Sequence, residues 1–243
     1  MTAEVLQSAT ASDHGSVNQA GRDLILRRQH LLSSTDVTVE ARGGGKSFVE
    51  PPHYAAAAKI LENPSMASPI VVLRGAVGTG RRSSALALLD RGQPDRIEDL
   101  TTDWRRPRAI ELPCEEHGRY LLDLTFEPED IPESFIRELV DFAETAWENR
   151  ARLIVVVTEE KWRLCHRVDA DVTVDLGIPD QIQVLAQHLR ALKAPHTVDQ
   201  LRSLQGISEV MKNLETGNWP PHRAAELAET AGRGAKSFGL ITR

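Results

Sequence analysis

The chain predicts an α/β fold, three layers deep around a mainly parallel sheet, with a small helical domain behind it. Three features carry this. Short apolar runs rich in Val, Ile and Leu alternate with helical stretches between residues 48 and 178, the rhythm of βαβ units. One of these runs passes through three glycines into an Ala/Leu-rich helix, in "IVVLRGAVGTGRRSSALALL", Ile70 to Leu89. After Pro179 strand signals stop and helical periodicity takes over.

Residues 1–47 read as a flexible leader. Residues 1–20 are small and polar, a composition that favours disorder. Two short strand signals follow, Asp23–Leu26 and Asp36–Glu40, and Gly43–Gly45 reads as a flexible link. The α/β core is expected over residues 48–178, opening near Phe48. Pro51-Pro52 leads into an Ala-rich helix, His53 to Glu62. Ile70–Arg74 is continuously apolar up to its last residue, as for a strand buried on both faces. Arg82–Asp90 is a helix that Gly92 stops. Ala109–Leu112 and Tyr120–Thr125 are the next strands. Pro132–Asn149 is a long helix with Phe135, Leu139, Phe142 and Ala146 on one face. Arg152–Thr158, "RLIVVVT", is the strongest strand signal, and Asp171–Leu176 is the fifth and last. From 179 to 231, "PDQIQVLAQHLRAL", "TVDQLRSL", "ISEVMKNLE" and "PPHRAAELAETA" predict four consecutive helices, and residues 232–243 a basic, unpatterned tail.

Composition narrows the function classes. A chain of 243 residues with 41% hydrophobic content can bury a substantial core. Its net charge of −6 supplies no general drive toward nucleic acid, and the cluster "DWRRPR" reads as a solvated loop. No apolar run approaches the roughly 20 residues of a membrane span. The N-terminus lacks the pattern of a signal peptide. Cys114 and Cys165 lie far apart and read as reduced thiols. A soluble, cytoplasmic chain is expected. The eight histidines share no metal-ligand spacing with cysteine or aspartate, which argues against structural zinc.

The chemistry is concentrated in the glycine stretch. A phosphate-binding P-loop reads G-x-x-x-x-G-K-[ST]. Gly75 and Gly80 hold the two fixed glycines, with Gly78 and Thr79 between them. Glycines let the chain curl so that successive N–H groups face phosphate oxygens, and the following helix adds its N-terminal dipole. The side chains depart from the pattern. Arg81 stands at the lysine position and Arg82 at the Ser/Thr position whose hydroxyl holds Mg²⁺. Arginine keeps the charge but brings a broad planar fork, and Arg82 offers the metal no oxygen. Ser83 or Ser84 could supply one only through a shift of register. A guanidinium in the metal's place predicts nucleotide binding that depends little on Mg²⁺.

A P-loop strand, a second strand, an apolar strand ending in Asp, a strand ending in Thr, a fifth strand and a helical bundle follow one another here. That order resembles AAA+ and related STAND-type P-loop NTPases, the NACHT group among them, over roughly Phe48 to Ala231. The resemblance implies a three-layer parallel-sheet P-loop NTPase core with a helical lid, holding ATP or ADP. It implies that "YLLDLT" is the Walker B strand, with Asp123 toward the metal, and that Thr158 is the sensor 1 residue beside the γ-phosphate. The acid that normally follows the Walker B aspartate is Leu124 here. "NWPPHRAAELAE" resembles either the lid helix carrying sensor 2, which places Arg223 at the phosphates, or the Gly-x-Pro motif, which places Pro220 or Pro221 near the base. "GSVNQAGRDLIL" looks like leader segments that precede NACHT-type modules. The function this implies is a degenerate nucleotide-binding switch with weak or absent hydrolysis, read by a protein partner or by self-association. A scaffold with a vestigial pocket is the alternative.

Overall fold

The computed structural model describes residues 17–20, 23–26, 32–44, 47–62, 68–102, 112–125, 133–162, 173–194, 197–203, 208–217 and 222–232. The chain opens with an antiparallel pair, β1 (Val17–Ala20) and β2 (Asp23–Leu26). The first of these lies where disorder is expected from composition, and the second matches the expected strand Asp23–Leu26.

A six-stranded sheet forms the centre. It comprises β3 (Leu32–Asp36), β4 (Ile70–Arg74), β5 (Glu98–Thr102), β6 (Arg119–Asp123), β7 (Arg152–Val157) and β8 (Thr173–Asp175), in the spatial order β3-β5-β6-β7-β4-β8. Every pairing is parallel except that of the edge strand β3 with β5. The sheet therefore begins upstream of Phe48. The expected strand Asp36–Glu40 is displaced: the strand ends at Asp36, and Thr38–Gly44 is helix α1. Asp36 forces the change, because its carboxylate accepts the Thr38 N–H at 2.9 Å and turns the chain. Gly43 and Gly44 close that helix instead of forming a link.

Strand β5 has no counterpart in the sequence reading, which put the second strand at Ala109–Leu112. Residues 109–111 of that stretch lie outside the described residues, and Leu112 is not in a strand. "EDLTT" has one large apolar side chain, Leu100, and no continuous run to mark it. Its polar residues are satisfied sideways. Ser33 and Thr101 share a hydrogen bond of 2.6 Å across β3 and β5, and Asp99 is ion-paired.

The central strands are buried on both faces, and alternation assigns each residue a side. Ile70, Val72, Tyr120, Leu122, Leu153 and Val155 join one core with Phe135, Leu139, Phe142 and Ala146 of helix α4 (Glu133–Asn149). Val71, Leu73, Leu121, Ile154 and Val156 join the other. That second core takes in Ala41 of α1, Ala57 and Ala58 of α2 (Tyr54–Glu62), and Ala85, Leu86 and Leu89 of α3 (Arg81–Leu89). These are the three expected layers. A short helix, α5 (Glu159–Trp162), follows β7 directly.

The four helices after Pro179 are α6 (Gln181–Ala191), α7 (Val198–Ser203), α8 (Ser208–Glu215) and α9 (His222–Gly232). They enclose a core of their own, in which Leu185 and Leu189 meet Leu201, Met211, Leu214 and Leu227. Asp180 caps α6, accepting the N–H groups of Ile182 and Gln183 at 2.9 and 3.1 Å. Losing such a cap costs about 1 kcal/mol. Asp180→Ala is therefore expected to lower the urea midpoint without changing the denaturant slope, and an unchanged midpoint would show that the cap carries no stability. Among the described residues no helix is long and apolar enough to cross a membrane.

Candidate functional site

From β4 the chain crosses to β5, returns strand by strand through β6 and β7, and then passes to β8 on the far side of β4. Strand order thus reverses at β4, and such a reversal opens a crevice at the carboxyl ends of parallel strands. The glycine loop fills that crevice. Gly78 and Gly80 have φ of 83° and 81°, a region that only glycine enters cheaply. Gly80 caps α3, and its carbonyl accepts the Ser84 N–H at 2.8 Å. Thr79 is buried and donates its hydroxyl to the Ala76 carbonyl at 2.9 Å, pinning the curl. Gly75 is crowded from below: a Cβ there would stand 3.1 Å from the Leu176 carbonyl and 3.2 Å from Thr79 Oγ1.

The loop opens into a cavity of about 450 Å³. Residues 77–83 form one wall, which includes Arg81, Arg82 and Ser83. Phe48, Val49, Leu86, Pro179 and Val184 form an apolar wall. Asp123, Thr125 and Glu40 add oxygens, and His188, His222 and Ala225 reach in from α6 and α9.

The two arginines take different courses. Arg81 is only 4% exposed and donates from Nη1 to the Val157 carbonyl at the end of β7. Burial lowers its pKa from the ordinary value, and the charge of Asp123 opposes that shift. An arginine stays charged under such a shift, so the cavity floor holds a cation beside a carboxylate. Arg82 is spoken for. Its Nε and Nη2 meet the Glu40 carboxylate at 3.2 and 3.1 Å, and its Nη1 meets Asp99 at 2.6 Å. Burial works against the Arg82 charge, but these hydrogen bonds outweigh it and the pKa stands above the ordinary value.

Asp123 lines the cavity, and its Oδ1 accepts the Thr125 N–H at 2.9 Å. Leu124, fully buried, follows it. Thr158 is not among the lining residues. Its hydroxyl accepts the Lys161 N–H at 3.4 Å and its carbonyl the Trp162 N–H at 3.1 Å, so it begins α5. Arg223 is likewise absent from the wall; it pairs with Glu226 one turn on, at 2.7 Å. Its neighbour His222 takes the inward place. A Cβ on Gly78 would lie 2.8 Å from His222 Nδ1, so the imidazole rests on the loop itself. Pro220 and Pro221 lie outside the described residues, as do Cys165 and the cluster 103–108. Among the described residues no group of three or more His, Cys, Asp or Glu is arranged to hold a metal ion.

Sequence reasoning missed Glu40, Asp99, His188 and His222. A helical reading of "PHRAAELAE" puts His222 one residue before Arg223, and only the packing of α9 decides which faces the loop. His188 is half-buried; burial holds its pKa below the ordinary value of 6.5, and Glu229 pulls the other way. The folded chain therefore binds this proton less readily than the unfolded chain does. The stability at stake is intact above pH 6.5 and declines as pH falls below it. His188→Gln is expected to shrink the loss of melting temperature between about pH 7.5 and 5.5. An identical loss in the variant would remove His188 from the account.

No family model matches the chain, and no curated protein matches it by sequence. Among solved structures it is similar to "Structure of C. elegans PCH-2", with 11% identity over 87% of this chain and 74% of that one and a TM-score of 0.42. That likeness is too slight to bear on the chemistry of the site.

Proposed function

We propose that the chain is a nucleotide-binding switch module in which ATP or ADP lies between the glycine loop and the helical unit, the latter acting as a lid. One observation carries the reading: a loop with two left-handed glycines and a buried arginine opens into a cavity that α6 and α9 also line. Loop N–H groups and the start of α3 suit phosphates. Phe48, Val49, Leu86, Pro179 and Val184 suit a planar base. Because both units wall the cavity, bound nucleotide would bias their relative arrangement, and a protein partner or a second copy would read it.

The residues present fit a nucleotide better than they fit Mg²⁺. The usual metal hydroxyl is replaced by Arg82, and Asp123 already interacts with the charge of Arg81. The alternative scaffold reading has its own support, since both loop arginines already have internal partners. A thermal-shift comparison of ATP, ADP, GTP and GDP, with Mg²⁺ or with EDTA, separates the two. A ligand at a hundred times its Kd stabilises by about 2.7 kcal/mol, enough for a clear rise in melting temperature. We expect a rise with an adenine nucleotide, nearly equal in EDTA. No rise with any nucleotide would favour the scaffold.

A further inference from the structure

Arg82 does not stand idle at the metal's usual place. Its guanidinium has two edges. Nη1 is held by Asp99 of β5, and the Nε–Nη2 edge is filled by both oxygens of Glu40, at 3.2 and 3.1 Å. That second edge is the one that grips a phosphate in bidentate fashion. Glu40 lines the same cavity as the loop and sits on α1, which packs on α3 through Ala41. The local charges do not favour a polyphosphate as they stand. Two cations, Arg81 and Arg82, face three carboxylates, Glu40, Asp99 and Asp123.

We propose that Glu40 is an internal competitor for nucleotide phosphate: its carboxylate occupies the phosphate-binding edge of Arg82, and a nucleotide binds by displacing it. The inference rests on the nucleotide reading above. The geometry permits the exchange. The Glu40 side chain is half exposed and Arg82 about a third exposed, and ion pairs so open to water are weak. Asp99 is the less exposed partner and the shorter contact, so it keeps the guanidinium in place while the other edge changes hands. Displacing Glu40 also loosens the tie between α1 and the loop. By linkage, whatever holds α1 in place then weakens nucleotide binding by the same factor that nucleotide weakens that hold. This makes α1 the element through which occupancy is reported.

Calorimetric titration of ADP and ATP in EDTA buffer tests this on the full chain, with Glu40→Gln, Arg82→Ala, the double variant and Glu226→Gln. Glutamine keeps the size of the side chain and removes the charge that competes. Glu40→Gln is expected to bind roughly two- to fivefold tighter, the worth of an exposed pair converted to affinity. The gain should vanish in the double variant, and Glu226→Gln, which removes an exposed charge that does not line the cavity, should show none. Wild-type binding with no gain in Glu40→Gln overturns the competition and leaves the nucleotide reading standing. A gain that persists without Arg82, or that Glu226→Gln reproduces, overturns it as well, because the effect would then be general charge. Absence of heat from every variant overturns both.

Discussion

Arg81→Ala is expected to weaken ADP and ATP binding by about 1.5–3 kcal/mol, the range for hydrogen bonds to a charged group, or roughly tenfold to more than a hundredfold in Kd. Arg82 has its guanidinium between two carboxylates, so in the resting chain the attraction for phosphate rests on Arg81. That side chain runs past Gly75, where a Cβ would lie 3.5 Å from Arg81 Cδ, and ends at Val157 and near Asp123. It therefore spans the loop and the rim of the sheet together. Its loss has a second consequence. The Val157 carbonyl loses a buried donor and Asp123 loses a nearby cation, so the unliganded protein should also lose about 1–3 kcal/mol of stability. Arg81→Lys separates the two effects. An ammonium restores the charge that the loop pattern ordinarily carries but not the planar fork, so affinity should return further than stability does. Equal nucleotide affinity in wild type and Arg81→Ala, measured calorimetrically, would remove Arg81 from the site.

How much of this was legible in the sequence depends on where each residue gets its partners. Strands β4 and β7 are written plainly, because both faces are buried and every position from Ile70 to Leu73 and from Leu153 to Val157 is apolar. Helix α4 is legible for the same reason, with Phe135, Leu139, Phe142 and Ala146 at helical spacing and all buried. Strand β5 was not, since its neighbours β3 and Arg82 satisfy polar side chains that a buried strand would otherwise exclude. The glycine loop could be found by spacing because its role is carried by backbone. The fates of its arginines could not. Whether Arg82 faces phosphate or Glu40 depends on α1, more than 40 residues upstream in a stretch whose β-branched residues imitate a strand. The helical unit shows the same limit at one-residue scale: the pattern finds α9, and only tertiary packing sets His222 on the loop and turns Arg223 to Glu226.

The isolated chain is expected to turn over ATP far below the ~1 per second of ordinary ATPases and kinases. Hydrolysis needs a group that orients or deprotonates water, and charge placed where the transition state develops it. On the nucleotide reading proposed above the first would follow Asp123, and the residue there is Leu124, fully buried. Thr158 lies at the start of α5 with its hydroxyl on the Lys161 N–H, so it is not set to hold an attacking water. The hydroxyl that would fix Mg²⁺ is replaced by Arg82, whose cation is shared with Glu40 and Asp99. Arg81 supplies static positive charge, which stabilises bound phosphate in ground and transition states alike and so favours holding over cleaving. Leu124→Glu does not repair the site. Leu124 is fully buried in the core with Phe135 and Leu139 and does not line the cavity, so a glutamate there buries an unpaired carboxylate and should lower the melting temperature without raising turnover, alone or with Arg82→Thr. The measurement is phosphate release under enzyme excess as well as at steady state. A wild-type rate near ~1 per second that tracks the purified chain would overturn this expectation and point to Glu40, the carboxylate that lines the cavity besides Asp123, as the base.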